Sequence, residues 1–150
     1  LLLLGGGREY DAAPNVSVLP YRRNSIELAE WLSSVDALVH AGTAETFGLV
    51  ILEAMACGRP VVGVRSGAVP ELVDESVGVL AERADPRLFA EAVRGLYDRD
   101  IEQLGAAARA RVLSRFSWNQ ALQTQLAAYT TLAKRAKRPA HVRDAVLETP

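Results

Sequence analysis

Two carboxylates with seven residues between them, Glu45 and Glu53, frame the stretch of this chain best suited to chemistry. From Leu49 to Cys57 every position except Glu53 is apolar, so the helix expected there has no ordinary wet face and should be buried nearly all round. A lone carboxylate on such a helix must be protonated, paired or hydrogen-bonded, because an unpaired buried charge is costly. Ligand hydroxyls would satisfy Glu53, and so would an arginine or backbone amides. At the other end, Glu45 precedes the helix and Thr46-Phe47-Gly48-Leu49 spans its start, where backbone N–H groups lack intrahelical acceptors. Free amides and the positive end of the helix dipole suit an anion such as phosphate, and Gly48 removes the side chain that would keep a phosphate off the backbone.

The elements around this stretch follow from pattern and punctuation. Leu1-Leu4 reads as a buried strand entered in its middle, with Gly5-Gly6-Gly7 as a turn. Glu9 and Tyr10 occupy the later positions, so the triplet is a weak dinucleotide fingerprint. Val16-Leu19 is a second strand, ended by Pro20, and Asn24-Ser25-Ile26-Glu27 has the form of a capping box opening a helix to about Ser34. Asp36-His40 is a third strand whose carboxyl end delivers the Glu45 loop, the place where ligands collect in open parallel α/β sheets. Gly58 should end the central helix, Pro60 should start a strand over Val61-Val64, and Pro70 should start a helical turn in which Glu71 serves the helix end. Gly78-Ala81 is a fifth strand. Beyond Asp85-Pro86 the pattern is helical, with helices expected at Leu88-Leu96, Ile101-Leu113 and from Phe116-Ser117-Trp118 through Leu132. Strands alternating with helices as far as residue 81 predict a parallel sheet with right-handed crossovers.

At this point the residues carry a resemblance. Glu45 and Glu53, followed by Ala-Met-Ala-Cys-Gly-Arg-Pro-Val-Val, resemble the E-x7-E signature of the retaining nucleotide-sugar glycosyltransferases of the GT-B fold, group 1 or family four. The likeness is contiguous from Ala44 to Val62 and weaker through Gly67-Glu71, Gly78-Leu80 and Phe116-Trp118. It implies a Rossmann-like α/β domain with a parallel sheet flanked by helices, the C-terminal half of a two-domain GT-B fold. On this reading residues 1–133 form the nucleotide-sugar-binding domain, truncated at its N-terminus, and 134–150 a basic polar tail. The first domain of the same protein would lie upstream and is a partner the site needs.

Carried over by position, Glu45 would be the catalytic residue facing the donor's sugar and phosphate. Thr46, Phe47, Gly48 and Leu49 would bind the donor, the amides around Phe47 to Leu49 holding its distal phosphate, and Glu53 would accept from the ribose hydroxyls. The turn carrying Tyr21 and Arg22 would lie against the nucleobase; exposed loop residues are the plain alternative. Where the family often has Pro-Ser this chain has His40-Ala41. His40 invites a proton-shuttling role, but no acid or nucleophile is spaced along the chain to work with it. The resemblance further implies a UDP-sugar or GDP-sugar donor, a glycan or lipid-linked acceptor, no cofactor and no protein-bound metal. It suits the cytoplasm, at or near the inner face of a membrane.

Composition narrows the alternatives. A net charge of −1 and the absence of a basic run interleaved with aromatics give no argument for nucleic acid. One cysteine, Cys57, excludes an internal disulfide, and two histidines without ligand spacing argue against zinc. Asp98-Arg99-Asp100 resembles a cation-holding triplet, but it joins two helices, where a cap is the expected role. Lys134, Arg135, Lys137 and Arg138 form a cluster that would hold an anionic membrane weakly, a polar tail being the plainer reading. A glycosidase acid and base pair fits the two glutamates less well, since one precedes the helix and the other lies within it.

Overall fold

In a computed structural model, residues 1–4, 13–21 and 23–136 are described. The Gly5-Gly7 turn, Arg22 and the tail from residue 137 lie outside them. The chain divides into two compact units, Leu1–Val112 and Leu113–Pro150.

The first unit is built on parallel strands. β1 (Leu2–Leu4) and β2 (Ser17–Leu19) pair in parallel, with Leu3 opposite Val18. β3 (Leu38–Val39), β4 (Val61–Val64) and β5 (Gly78–Ala81) form a second parallel sheet in the order β3-β4-β5. The expected parallel pairing is therefore present, divided between two hydrogen-bonded ladders. β4 is buried along its whole length, as a central strand covered on both faces must be. Val62 on β4 and its neighbours Val79 and Ala81 on β5 share one face, which α4 (Pro86–Tyr97) covers with Ala92 and Leu96 and α5 (Ile101–Arg115) with Leu104. The opposite face, marked by Gly63 and Leu80, meets Val69 of α3 (Val69–Leu72).

Local chemistry explains the helix ends. Asn24 caps α1 (Ser25–Ser33) by accepting from the Ile26 amide at 2.9 Å. α2 (Leu49–Ala56) starts after Gly48 and stops where Gly58 takes φ +73°, as expected. Cations meet the carboxyl ends of both helices: Arg109 donates to the Ala56 carbonyl of α2, and Arg59 donates to the Ser33 carbonyl of α1 at 2.8 Å. Asp98 closes α4 and the Asp100 side chain accepts from the Gln103 amide at 2.9 Å, so both acids of the triplet sit at helix ends. Arg111 clamps α5 to the loop before β5 through Asp74, at 2.8 Å, and the Leu72 carbonyl, at 3.0 Å.

In the second unit α6 (Trp118–Ala136) carries Trp118, Leu122, Leu126 and Tyr129, all exposed, at intervals of three and four residues. Lys134 and Arg135 fall within this helix. Among the described residues no helix is long and apolar enough to cross a membrane.

Candidate donor-binding site

The site begins where β3 ends. The His40 amide donates to the Val62 carbonyl at 2.8 Å, so the chain leaves the sheet one residue beyond the strand. The following loop is pinned to the loop after β4 at two points: Ser66 Oγ donates to the Thr43 carbonyl at 2.8 Å and the Ala68 amide to the Glu45 carbonyl at 2.9 Å. Gly67, at φ +55°, lies so close that a Cβ would stand 2.5 Å from the Glu45 carbonyl oxygen. The Glu45 backbone is thus fixed by tertiary contacts that nothing in the local sequence announces.

The Glu45 side chain turns toward the start of α2. Its Oε1 accepts from the amides of Thr46 at 3.1 Å, Phe47 at 3.3 Å and Gly48 at 2.9 Å. The Phe47 amide foremost, then that of Gly48, hold the carboxyl below the ordinary glutamate range, with partial burial acting against them. Its Oε2 lies 3.6 Å from His40 Nε2, beyond hydrogen-bonding distance. That Nε2 is itself buried and has no hydrogen-bond partner among the described residues. His40 therefore does face an acid, contrary to the expectation from spacing. Five residues apart on an irregular loop, the pair has no periodicity by which it could have been found.

Three sequence expectations change. The Phe47 and Gly48 amides, assigned to a phosphate, are occupied by Glu45. The Ile51 and Leu52 amides donate to the Gly48 carbonyl at 3.0 and 3.1 Å, which leaves those of Leu49 and Val50 without an acceptor among the described residues. Gly48 is needed first by the backbone: it is buried at φ +85°, and a Cβ would stand 2.7 Å from Leu72 Cδ1. Glu53 is exposed, not buried. α2 buries Ile51, Leu52, Ala54 and Met55, and leaves Leu49, 66% exposed, on the same strip as Glu53 one turn later. An apolar composition does not require burial on every side, and Glu53, facing water, needs no protein partner.

The remaining described candidates are all accessible. Thr46 is exposed, Phe47 is half exposed beside the helix mouth, and Tyr21, 74% exposed, follows β2 in the chain. The structure brings Glu45, Thr46, Phe47, Gly48 and Leu49 together at the carboxyl end of β3, with Glu53 one turn into α2. That position, at the carboxyl edge of a parallel sheet and the amino end of a helix, can hold an anion and present carboxylates to hydroxyl groups.

Known proteins resemble this chain in sequence and in fold. The family model described as Glycosyl transferases group 1 matches residues 1–99. D-inositol 3-phosphate glycosyltransferase 1 of Catenulispora acidiphila is 43% identical over 107 residues, which are 69% of this chain and 25% of that protein. The D-inositol 3-phosphate glycosyltransferase of Geodermatophilus obscurus is 43% identical over 108 residues, 71% of this chain and 24% of the relative. The chain thus spans about a quarter of the length of the curated relatives it matches. Among solved structures, sucrose-phosphate synthase from Thermosynechococcus elongatus aligns with a TM-score of 0.75 at 27% identity, over 89% of this chain and 38% of that one. Anabaena HepE in complex with UDP aligns with a TM-score of 0.66 at 28% identity, over 75% and 32%. The α/β fold implied by the resemblance, with parallel strands flanked by helices, is that of these GT-B glycosyltransferases, and the chain belongs to the glycosyl transferases group 1 family.

Proposed function

We propose that this chain is the donor-binding part of a retaining glycosyltransferase that moves a hexose from a nucleoside diphosphate sugar to an acceptor. The observation that carries the reading is the start of α2, where three consecutive amides converge on one carboxylate oxygen. Groups that bind one anionic oxygen in that geometry suit another, the distal phosphate of the donor, with the Leu49 and Val50 amides beside them. Negative charge accumulates on that phosphate as the sugar departs, so amides already in place would stabilise the transition state more than the ground state. Glu45 would then hydrogen-bond the sugar hydroxyls. Glu53, about 6 Å along the helix axis from Leu49, is in reach of a ribose.

HepE is named in complex with UDP and with UDP-glucose, which supports a uridine nucleotide and a glucose-type sugar. The names of the relatives in Catenulispora and Geodermatophilus favour a small polyol phosphate as acceptor, beside the glycan or lipid-linked acceptors the family resemblance implies. We assign the acceptor to a further domain of the intact protein, so these 150 residues alone bind donor without turning it over. No resident metal enters the reading, and the cytoplasmic side of a membrane suits a soluble nucleotide-sugar donor.

Thermal melting of the chain with UDP, GDP and ADP tests the proposal. The cognate nucleotide at a hundred times its Kd adds about 2.7 kcal/mol of stability and raises the midpoint, whereas the other two leave it close to that of the free protein. Glu53→Ala should weaken that nucleotide about tenfold, as expected for a lost charge-assisted hydrogen bond. Unchanged nucleotide affinity in that variant would remove the ribose role, and no shift with any of the three would remove the nucleotide.

A further inference from the structure

The carboxylate of Glu45 and the phosphate proposed above are both anions, and they compete for the same amides of Phe47 and Gly48. Two anionic oxygens at one pair of N–H groups repel each other, so a bound phosphate must displace Glu45 Oε1. The Glu45 backbone is not free to withdraw, because Ala68 donates to its carbonyl and Gly67 lies against it. The side chain has to turn by itself, and a carboxylate leaving three amides needs another donor.

One is waiting beside it. His40 Nε2 is 3.6 Å from Glu45 Oε2, buried, and without a hydrogen-bond partner among the described residues, so a shift of a few tenths of an ångström would close a hydrogen bond. The His40 backbone is tied to the sheet by its amide bond to Val62, and the ring lies over Gly42, where a Cβ would stand 2.8 Å from Nε2. Both the neutral tautomer protonated at Nε2 and the imidazolium can donate there.

We propose that His40 is a positioning residue that receives the Glu45 carboxylate when the donor's phosphate takes the helix mouth, and so turns a self-capped helix into an open site. The inference rests on the nucleotide-binding reading above and adds to it a second station for Glu45. In that station Oε2 is held by His40, and Oε1 is left to accept from the sugar. The chain's own acid acts as the stopper of the empty site, and His40 sets how readily the stopper moves.

A double-mutant cycle read by calorimetry with UDP tests this on the 150-residue chain. His40→Ala should weaken UDP about five- to tenfold, the scale of one charge-assisted hydrogen bond. Glu45→Ala should bind UDP at least as tightly as the natural sequence, because the stopper is gone. With Glu45→Ala already in place, His40→Ala should change nothing. His40→Gln, which keeps a donor, should stay within about twofold of the natural sequence, whereas His40→Phe, which keeps the ring without one, should behave as His40→Ala and serves if the alanine variant does not fold. Equal losses from His40→Ala in both backgrounds, or no loss in either, would overturn the proposal while leaving nucleotide binding intact. Failure of the natural chain to bind UDP, GDP and ADP alike would overturn both.

Discussion

Glu45 satisfies three amides with one oxygen and keeps the other near an imidazole, and this sets its titration. Hydrogen bonds from Phe47 and Gly48 favour the charged form, so the folded-state pKa lies below that of the unfolded chain. The contribution of the group to stability is therefore fully present above the unfolded value and is lost as pH falls through the lower folded value. The amide NMR signals of Phe47 and Gly48 should report this directly, moving together with a midpoint below the usual glutamate pKa, and should stop moving in Glu45→Gln. A midpoint at or above the usual value would mean that these amides do not hold the carboxylate. At this scale the sequence singles out the acid before the helix, yet it assigns the amides next to that acid to a ligand alone. Nothing in the types of Thr46, Phe47 and Gly48 says that the neighbouring side chain folds back on them.

At the scale of elements, α2 is read correctly in its limits and incorrectly in its surroundings. Its start after Gly48 and its stop at Gly58 follow from glycine's freedom at positive φ, a local property. Which of its sides is wet depends on where α1, β4 and α3 lie, and the strip of Leu49 and Glu53 faces none of them closely enough to be buried. Two helical glycines show the same division. Gly105 of α5 crosses the end of α2 so closely that a Cβ would stand 2.1 Å from the Gly58 carbonyl oxygen, whereas a Cβ on Gly95 of α4 would meet no other described element within 4 Å. Gly105→Ala should lower stability by about 1–3 kcal/mol through overpacking. Gly95→Ala should raise it by about 0.5–1 kcal/mol through helix propensity and a more restricted unfolded chain. Urea midpoints of the two variants check the opposite signs, and a stabilised Gly105→Ala would show that α5 does not rest on Gly58.

At the scale of the whole molecule, stability concentrates in β4 and the helices over it, where Val61, Val62, Val64, Val69 and Leu96 are all at most 1% exposed. Hydrogen exchange should accordingly be slowest for the amides of Val61–Val64, approaching global unfolding, and faster by about two orders of magnitude along α6, which offers no buried side chain among its described residues. Equal protection in β4 and α6 would mean that the apolar row from Trp118 to Tyr129 is covered in solution. The residues alone were enough for whatever depends on neighbours a few positions away: the alternation of strands and helices, the caps at Asn24, Gly58 and Asp100, the strand at Val61–Val64, and the acids on either side of a helix start. The packing of distant segments is what makes Glu45 close that helix start, stands His40 beside it, holds its backbone with Gly67 and Ala68, and turns Glu53 to water. Each of these depends on a distance between segments brought together by the β3-β4 pairing and the packing of α2 and α3. Such distances are set by the closing of the chain on itself and leave no period or spacing in the sequence.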